Sequence, residues 1–318
     1  RWSWAPAPAP APEAPEAAHG RGSSPGPPSS PQGSPEDTAG PWLRVFSGLT
    51  ATVHPSSVTA LMGPSGCGKT SALTVLAGRE AANARRGGTL RVNGRPVGAH
   101  AHRAAFGYVP QDDTVREGLT VFENLWMAAG VRLPRGTPRE RRARLVAATA
   151  ELLGLGPVLH RRVGSVDRRG VSGGQRKRVN IGVELVADPP ALFLDEPTSG
   201  LDASTAEAVL GALNGLARRG RTVVATLHSP RFSALALVDH LVLLAPGGRL
   251  AYAGPAAALV PYLEAAGHLL PPLENPMDFA LDLLTGRARG NGRGARGDGK
   301  GGNGRGEAPD LAALWADG

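Results

Sequence analysis

The sequence predicts an α/β fold built around a mainly parallel sheet. Two short apolar runs, Val58–Met62 and Ala191–Leu194, have the length and character of strands buried on both faces. The first leads into a glycine-rich loop and a helical pattern, and the second ends in two carboxylates. A third strand, Thr222–Thr226, ends shortly before a histidine. Because open α/β sheets bind ligands at the carboxyl ends of their strands, we expect these polar residues to share one site.

The loop after the first strand fits the phosphate-loop pattern Gly-x-x-x-x-Gly-Lys-Thr. Its glycines let backbone N–H groups point at a phosphate, and the helix that begins near Gly68 adds the positive end of its dipole. We expect Lys69 to neutralise β- and γ-phosphate oxygens and Thr70 to bind Mg²⁺. A glycine-rich turn without a ligand is the alternative, but it gives the Lys-Thr pair no role. The nucleotide-binding residues predicted in this loop are Gly63, Pro64, Ser65, Gly66, Cys67, Gly68, Lys69, Thr70 and Ser71.

Two carboxylates, Asp195 and Glu196, directly follow the strand Ala191–Leu194. A carboxylate at this edge can hold the Mg²⁺ shell, and the next one can polarise a water for attack on the γ-phosphate. We therefore expect Asp195 to bind the metal and Glu196 to be catalytic. Considered alone, the pair could also be two solvated acids at a strand end.

A second helix N-terminus is predicted at Ser172-Gly173-Gly174-Gln175, which precedes the helical stretch Arg176–Ala187. One ATP does not need two such cradles from the same subunit. In a two-fold symmetric pair, however, Ser172 and Gly174 of one subunit can face the γ-phosphate held by Lys69 of the other. A simple loop and helix cap is the alternative for this segment alone. Together with the phosphate loop, the segment predicts ATP at the interface of a pair.

In this combination the chain resembles the ATP-binding cassette (ABC) proteins, over roughly Trp42 to Gly286. Ser172–Gln175 is similar to their signature sequence, and Asp195-Glu196 is similar to their acidic strand end. The resemblance implies a P-loop NTPase fold of ABC type. Such a fold has a mainly parallel core sheet, a helical signature subdomain and a small antiparallel β subdomain.

The same resemblance implies roles for further residues. Gln111 looks like the glutamine that contacts Mg²⁺ and the attacking water, so it joins the metal and the catalytic sets. His228 resembles the histidine that contacts the γ-phosphate, and Ser199–Asp202 resembles the loop that crosses to the partner subunit. Trp42 is the candidate for stacking on adenine.

Three further segments resemble the G subfamily of ABC half-transporters: Leu119–Leu125, Val171–Arg178 and Asn275–Phe279. Val163–Gly170 is closest to the plant and algal branch. The resemblance implies an ATPase on the cytoplasmic face of a membrane, as part of an integral membrane transporter. Its partners would be a second nucleotide-binding domain, identical or different, and a C-terminal transmembrane domain absent from this chain, with no direct nucleic-acid contact.

Composition divides the chain into three segments. Residues 1–40 are rich in Pro, Ala, Ser and Gly and are expected to be disordered, while 41–285 form the nucleotide-binding domain. Residues 286–318 are expected to be a flexible Arg/Gly-rich linker with a short terminal helix. No apolar run reaches the roughly 18 residues of a membrane-spanning helix. The single cysteine, Cys67, lies in the phosphate loop, where we expect its backbone N–H to face phosphate.

The positive net charge of the chain is compatible with more than one class of binding partner. The formal net charge is +8, and the folded segment is basic by itself. This suits a polyphosphate ligand and an anionic membrane leaflet, but it also suits RNA. The competing hypothesis is a soluble ABC ATPase that acts on ribosomes or nucleic acid, and a third is a nucleotide-binding scaffold without turnover. One observation argues against a soluble ABC ATPase of the DNA-repair type. Such a protein would need a long coiled coil, but the span from Lys69 to Ser172 contains no sustained heptads.

Overall fold

The computed structural model describes residues 2–5, 44–98, 100–165, 170–228 and 230–287. The strands, in chain order, are β1 (Trp2–Ala5), β2 (Thr52–Val53), β3 (Val58–Met62), β4 (Thr89–Val92), β5 (Arg95–Pro96), β6 (Gly107–Val109), β7 (Ala191–Leu194), β8 (Thr222–Thr226), β9 (His240–Leu244) and β10 (Leu250–Pro255). The helices are α1 (Lys69–Leu76), α2 (Val121–Arg132), α3 (Arg139–Leu152), α4 (Gly173–Leu185), α5 (Ala203–Arg218), α6 (Phe232–Leu235), α7 (Leu259–Ala265) and α8 (Pro276–Thr285).

The central sheet has the strand order β10-β9-β3-β8-β7-β6. All neighbours from β9 to β6 are parallel, and only β10 pairs antiparallel, with β9. Every residue of β3, β7 and β8 is buried, because helices and the second sheet cover both faces. The predicted α/β class and its mainly parallel sheet are therefore confirmed, and the three predicted strands have the expected bounds.

Residues of alternate parity on β3 enter two separate hydrophobic clusters. Val58, Ala60 and Met62 join the larger cluster with the helices α2 to α5. Leu61 points to the other face, into a smaller cluster with Leu73 of α1. This alternation follows from the two-residue period of a strand and fixes the register of β3 in the sheet. The strand ends at Met62, and the phosphate loop begins at the next residue, Gly63.

A small antiparallel sheet with the strand order β2-β1-β4-β5 agrees with the predicted β subdomain. Its strand β1 differs from the expectation that residues 1–40 are disordered, because Trp2–Ala5 pairs with both β2 and β4. Composition could not indicate this strand, since its partners lie far along the chain. Residues 6–40 lie outside the described residues, as do Trp42 and the linker from residue 288 onward with its predicted terminal helix.

The helical subdomain consists of α2, α3 and the N-terminal part of α4. Thr120 and Glu123 form a reciprocal capping box that starts α2, and Ser172 and Gln175 form another that starts α4. The second box corrects the predicted start at Arg176, because α4 already begins at Gly173. No helix within the described ranges combines the length and the apolar character needed to cross a bilayer.

Two buried threonines on adjacent strands allow a matched test of this packing. Within the described residues, the Thr59 hydroxyl has no hydrogen-bond partner, whereas the Thr226 hydroxyl has two. Replacing an unpaired buried hydroxyl by a methyl group should stabilise the fold, so Thr59→Val should raise the free energy of unfolding by about 1 kcal/mol. Thr226→Val should lower it by about 1 to 3 kcal/mol. Urea unfolding of both variants checks this, and destabilisation by Thr59→Val would contradict the packing of β3.

Candidate nucleotide site

Four loops meet at one edge of the central sheet. They follow β3, β8, β7 and β6, which are consecutive neighbours in the sheet. In the register of these strands Leu61 lies opposite Thr226, while Ala225 lies opposite Leu194. The strands therefore end at nearly the same level. This brings Thr70 of the phosphate loop into contact with Asp195, and Gln111 into contact with Glu196. His228 follows the end of β8 at the same edge.

The phosphate loop turns tightly into α1. Gly68 caps the helix in the left-handed region with a φ of 94°, and a Cβ at this position would lie 2.9 Å from Val45 Cγ1. Glycine is therefore required at this turn. The Lys69 ammonium is buried and donates hydrogen bonds to the carbonyls of Gly63 at 2.9 Å and Pro64 at 3.1 Å. The loop thus holds its cation directly over its own backbone.

Cys67 differs in one respect from what the sequence predicted. Its backbone N–H donates to the Pro64 carbonyl at 3.3 Å and so closes the loop on itself. Its side chain is buried, and burial raises the pKa of the thiol, although the nearby Lys69 charge opposes this shift. The expectation that this N–H faces phosphate is not met in the structure.

Asp195 is the centre of a hydrogen-bonded chain. Its Oδ1 accepts from the buried Thr226 hydroxyl at 2.7 Å and from the Thr70 hydroxyl at 3.1 Å. Thr226 in turn accepts from the backbone N–H of Glu196 at 2.7 Å. The carboxylate is thereby oriented between the phosphate-loop helix and the next strand. Burial and then the negative charge of Asp195 raise the pKa of neighbouring Tyr108 to about 12, so this phenol stays protonated at neutral pH.

Glu196 is held at both its backbone and its side chain. Its φ of 44° lies in the left-handed region, which is uncommon for a residue other than glycine and is typical of constrained functional positions. Its carboxylate accepts a hydrogen bond of 2.9 Å from the side-chain amide of Gln111. Two of the three predicted catalytic residues, Glu196 and Gln111, are therefore in direct contact. His228 is exposed just beyond β8, and Ser229 after it lies outside the described residues.

The donor set fits Mg²⁺. This ion prefers hard oxygen ligands, keeps several waters and usually takes only one or two protein carboxylates beside substrate phosphates. The Thr70 hydroxyl and Asp195 Oδ1 lie 3.1 Å apart, at the start of α1. Both oxygens already face each other at the helix N-terminus where phosphates bind.

The signature segment forms a separate surface. The Ser172 hydroxyl accepts from the Gln175 N–H at 3.3 Å, and the Gln175 side chain accepts from the Ser172 N–H at 2.9 Å. Gly174 packs so closely on Thr205 of α5 that a Cβ would lie 2.1 Å from its methyl carbon. Ser172 and Gly173 are exposed. Within the described residues, no hydrogen bond joins Ser172–Gln175 to the phosphate loop of the same chain.

Comparison with known proteins agrees with this geometry. A family described as ABC transporter matches residues 46–199. ABC transporter G family member 28 of Arabidopsis thaliana is 42% identical over 238 residues, 75% of this chain and 21% of the relative. The broad substrate specificity ATP-binding cassette transporter ABCG2 of Mus musculus is 43% identical over 243 residues, 76% of this chain and 36% of the relative.

The chain belongs to the ABC transporter family. Its relatives are ABC transporters of the G family, so nucleotide binding and a place in transport are family properties. The chain spans about a fifth to a third of the length of these curated relatives. Plant and mammalian members match at nearly the same identity, so these values do not separate the plant and algal branch from the rest.

A second family, described as ABC-2 type transporter, matches residues 228–296. This corrects the expectation that no part of a membrane domain is present. That expectation relied on the lack of a long apolar run. In the structure, however, apolar residues between positions 228 and 287 pack in the hydrophobic core. Leu241, Leu243, Leu263 and Leu283 are all buried there.

Sequence reasoning missed one central residue of this ABC site. Thr226 was recognised only as the last residue of a strand, yet its hydroxyl connects Asp195 to Glu196. A threonine at the carboxyl end of the strand adjacent to the acidic one was the available signal. The polar face of α4 that contacts the Gln111 loop was missed as well.

Burial of Cys67 leads to a labelling prediction. Because burial hides the thiol and raises its pKa, iodoacetamide should alkylate the folded chain more slowly at pH 7 than the urea-unfolded chain, by about tenfold or more. The rate in the folded chain should increase with pH, and Mg-ATP should slow labelling further. Cys67 is the single cysteine, so mass spectrometry reads one site. Equal rates in the folded and unfolded chain would contradict this placement.

Proposed function

We propose that the chain is the ATP-binding and ATP-hydrolysing domain of an ABC G-type membrane transporter. It powers substrate translocation through ATP-driven closure of a pair of such domains. The observation that carries this proposal is the hydrogen-bonded chain from Thr70 through Asp195 and Thr226 to Glu196, ending at Gln111. It joins the loops of four neighbouring strands at the edge where a triphosphate would lie.

The phosphate loop binds the nucleotide. Lys69 neutralises β- and γ-phosphate oxygens, for which its ammonium leaves the carbonyls of Gly63 and Pro64. The N-terminus of α1 adds backbone donors and its dipole. The residues of this chain that surround the phosphates are Gly63, Pro64, Ser65, Gly66, Cys67, Gly68, Lys69, Thr70 and Ser71.

Thr70, Gln111 and Asp195 would hold Mg²⁺. When bound, the ion neutralises charge on the β- and γ-phosphate oxygens. Thr226 keeps Asp195 Oδ1 oriented toward Thr70, which reduces the reorganisation needed when the metal binds. The two protein oxygens therefore form a partly organised site.

Glu196 orients the attacking water and accepts its proton. Gln111 holds this carboxylate at 2.9 Å, and the backbone of Glu196 is fixed by Thr226. His228, exposed two residues beyond the end of β8, contacts the γ-phosphate in this proposal. These three side chains come from three neighbouring strand ends, so a shift of any loop would disturb hydrolysis.

A second copy completes the site. Ser172, Gly173, Gly174 and Gln175 of one subunit cap the γ-phosphate that the other subunit holds. The capping box leaves the Ser172 hydroxyl proton available, because this oxygen acts as an acceptor toward Gln175. The helix N-terminus is exposed, as an interface between subunits requires.

The attached membrane domain would convert closure and reopening into transport, with this domain at the cytoplasmic face. The similarity to G family transporters over three quarters of the chain favours this function over a soluble ATPase that acts on ribosomes or nucleic acid. The partner is a second nucleotide-binding domain, and direct nucleic-acid binding is not part of the proposal.

Glu196→Gln tests the proposed closure. Loss of the base should lower the ATPase kcat by about 100-fold or more, while the amide still fits beside Gln111. The variant, produced as the full-length gene product, should therefore retain Mg-ATP in a stable closed pair. Nucleotide retention and cross-linking between subunits measure this outcome.

Ser172→Asp in the Glu196→Gln background provides the matched control. Aspartate is as good a helix cap as serine, so α4 should stay intact. Its charge should repel the partner's γ-phosphate and abolish the closed pair. A closed pair that persists in this double variant, or a Glu196→Gln protein that stays open at saturating Mg-ATP, would contradict the proposed function.

A further inference from the structure

The loop of residues 111–114, called the Gln111 loop, is attached to α4 by polar side chains. Lys177 Nζ donates to the Gln111 carbonyl at 2.6 Å and lies 3.1 Å from an Asp113 carboxylate oxygen. Asn180 Oδ1 accepts from the backbone N–H and the hydroxyl of Thr114, at 3.1 and 2.7 Å. The loop is thus bound to one helix at three of its residues, Gln111, Asp113 and Thr114.

A further contact extends this attachment to β6. Glu184 Oε2 accepts from the backbone N–H of Tyr108 at 3.3 Å, and the same carboxylate pairs with Arg132 of α2. Lys177, Asn180 and Glu184 are three and four residues apart, so they share one face of α4. We refer to these three side chains as the α4 polar face.

The α4 polar face is buried at Asn180 and Glu184, whereas Lys177 binds the loop at the solvent-exposed end of this face. The side chain of Lys177 is 13% exposed, and Asn180 and Glu184 are buried. The Lys177 ammonium combines a charge-assisted hydrogen bond to the Gln111 carbonyl with the Asp113 ion pair, and the Thr114 bonds to buried Asn180 hold the same loop. The loop and the helix are therefore expected to move together.

The helix that carries this face is also the helix that begins at the signature. The capping box fixes Ser172 to the first turn of α4, and Lys177 lies five residues further along the same helix. At the other end, the Gln111 side chain contacts Glu196. Lys177 thus connects the loop that carries Gln111, a proposed Mg²⁺ ligand, with the segment that caps the partner's nucleotide in the proposed pair.

We propose that Lys177 is a positioning residue that couples the two nucleotide sites of the pair, by transmitting displacement of the Gln111 loop to the Ser172 end of α4. This inference rests on the proposed function. Nucleotide binding in one site moves Gln111, Lys177 carries α4 with it, and Ser172 is aligned over the other site. Lys177 itself contacts no nucleotide.

If Lys177 couples the sites, its loss should weaken closure of the pair without weakening ATP binding. A lysine that only stabilises the fold would affect both. Loss of the coupling should leave ATP binding to the open subunit intact, because Lys177 lies outside the phosphate loop. It should weaken closure, because Ser172 is no longer aligned by the Gln111 loop. Asn180 and Glu184 remain in place, so the fold should tolerate the substitution.

The experiment measures binding and closure in two backgrounds of the full-length protein. With Ser172→Asp, which blocks closure, Lys177→Met should leave the Kd for ATP within about twofold. With Glu196→Gln, which retains ATP, Lys177→Met should raise the ATP concentration for half-maximal closure by about tenfold. Lys177→Arg should restore closure, since a guanidinium can still reach the Gln111 carbonyl and Asp113.

Two further variants complete the test. Arg219→Met removes an exposed cation at the end of α5 and should leave both quantities unchanged. Asp113→Asn removes the carboxylate paired with Lys177 from the exposed side of the loop and should shift closure in the same direction as Lys177→Met. If Lys177→Met does not fold, Asp113→Asn alone decides, and unchanged closure overturns the proposal.

The outcomes distinguish this inference from the proposed function. If the Glu196→Gln protein never closes with Mg-ATP, the proposed function fails. If it closes and Lys177→Met closes at the same ATP concentration, only the coupling role of Lys177 is overturned. Equal weakening of binding and closure would also overturn it, because that pattern indicates a general structural defect.

Discussion

The parallel alignment of β3, β8, β7 and β6 determines where the candidate nucleotide site lies. Because these strands end at nearly the same level, four loops with different polar groups reach one edge of the sheet. Buried residues on both faces hold the register, since a slip by one residue would move apolar side chains to the wrong face. The Thr226 hydroxyl then fixes Asp195 and Glu196 relative to each other. The chemistry at this edge follows from strand packing.

Much of the fold and of the site could be predicted because the relevant signals are local in sequence. The strands Val58–Met62, Ala191–Leu194 and Thr222–Thr226 have the predicted bounds, since a doubly buried strand is a short apolar run. The phosphate loop and the Asp195-Glu196 pair could be located because each directly follows one of these strands. Gln111 and Glu196 are 85 residues apart in the chain and yet in contact. The resemblance to ABC proteins implied only that both act on the attacking water.

The parts that could not be predicted depend on contacts between distant segments. Lys177 binds the Gln111 carbonyl across 66 residues, and in the sequence it is one of several cations at the start of a helix. The strand Trp2–Ala5 pairs with β4 across most of the N-terminal segment, which composition alone describes as disordered. The start of α4 was misplaced because Gly-Gly suggests a loop, whereas the Ser172 and Gln175 side chains cap a helix there.

In the proposed pair, each nucleotide is enclosed by the phosphate loop of one subunit and the signature of the other. The most direct measurement counts the nucleotides retained by mixed pairs in the Glu196→Gln background, with one subunit carrying Lys69→Ala and the other Ser172→Asp. If the sites are shared, both defects fall in the same site and each mixed pair retains one ATP. If each subunit builds its own site, both sites are defective, and a mixed pair that retains no ATP would contradict the claim.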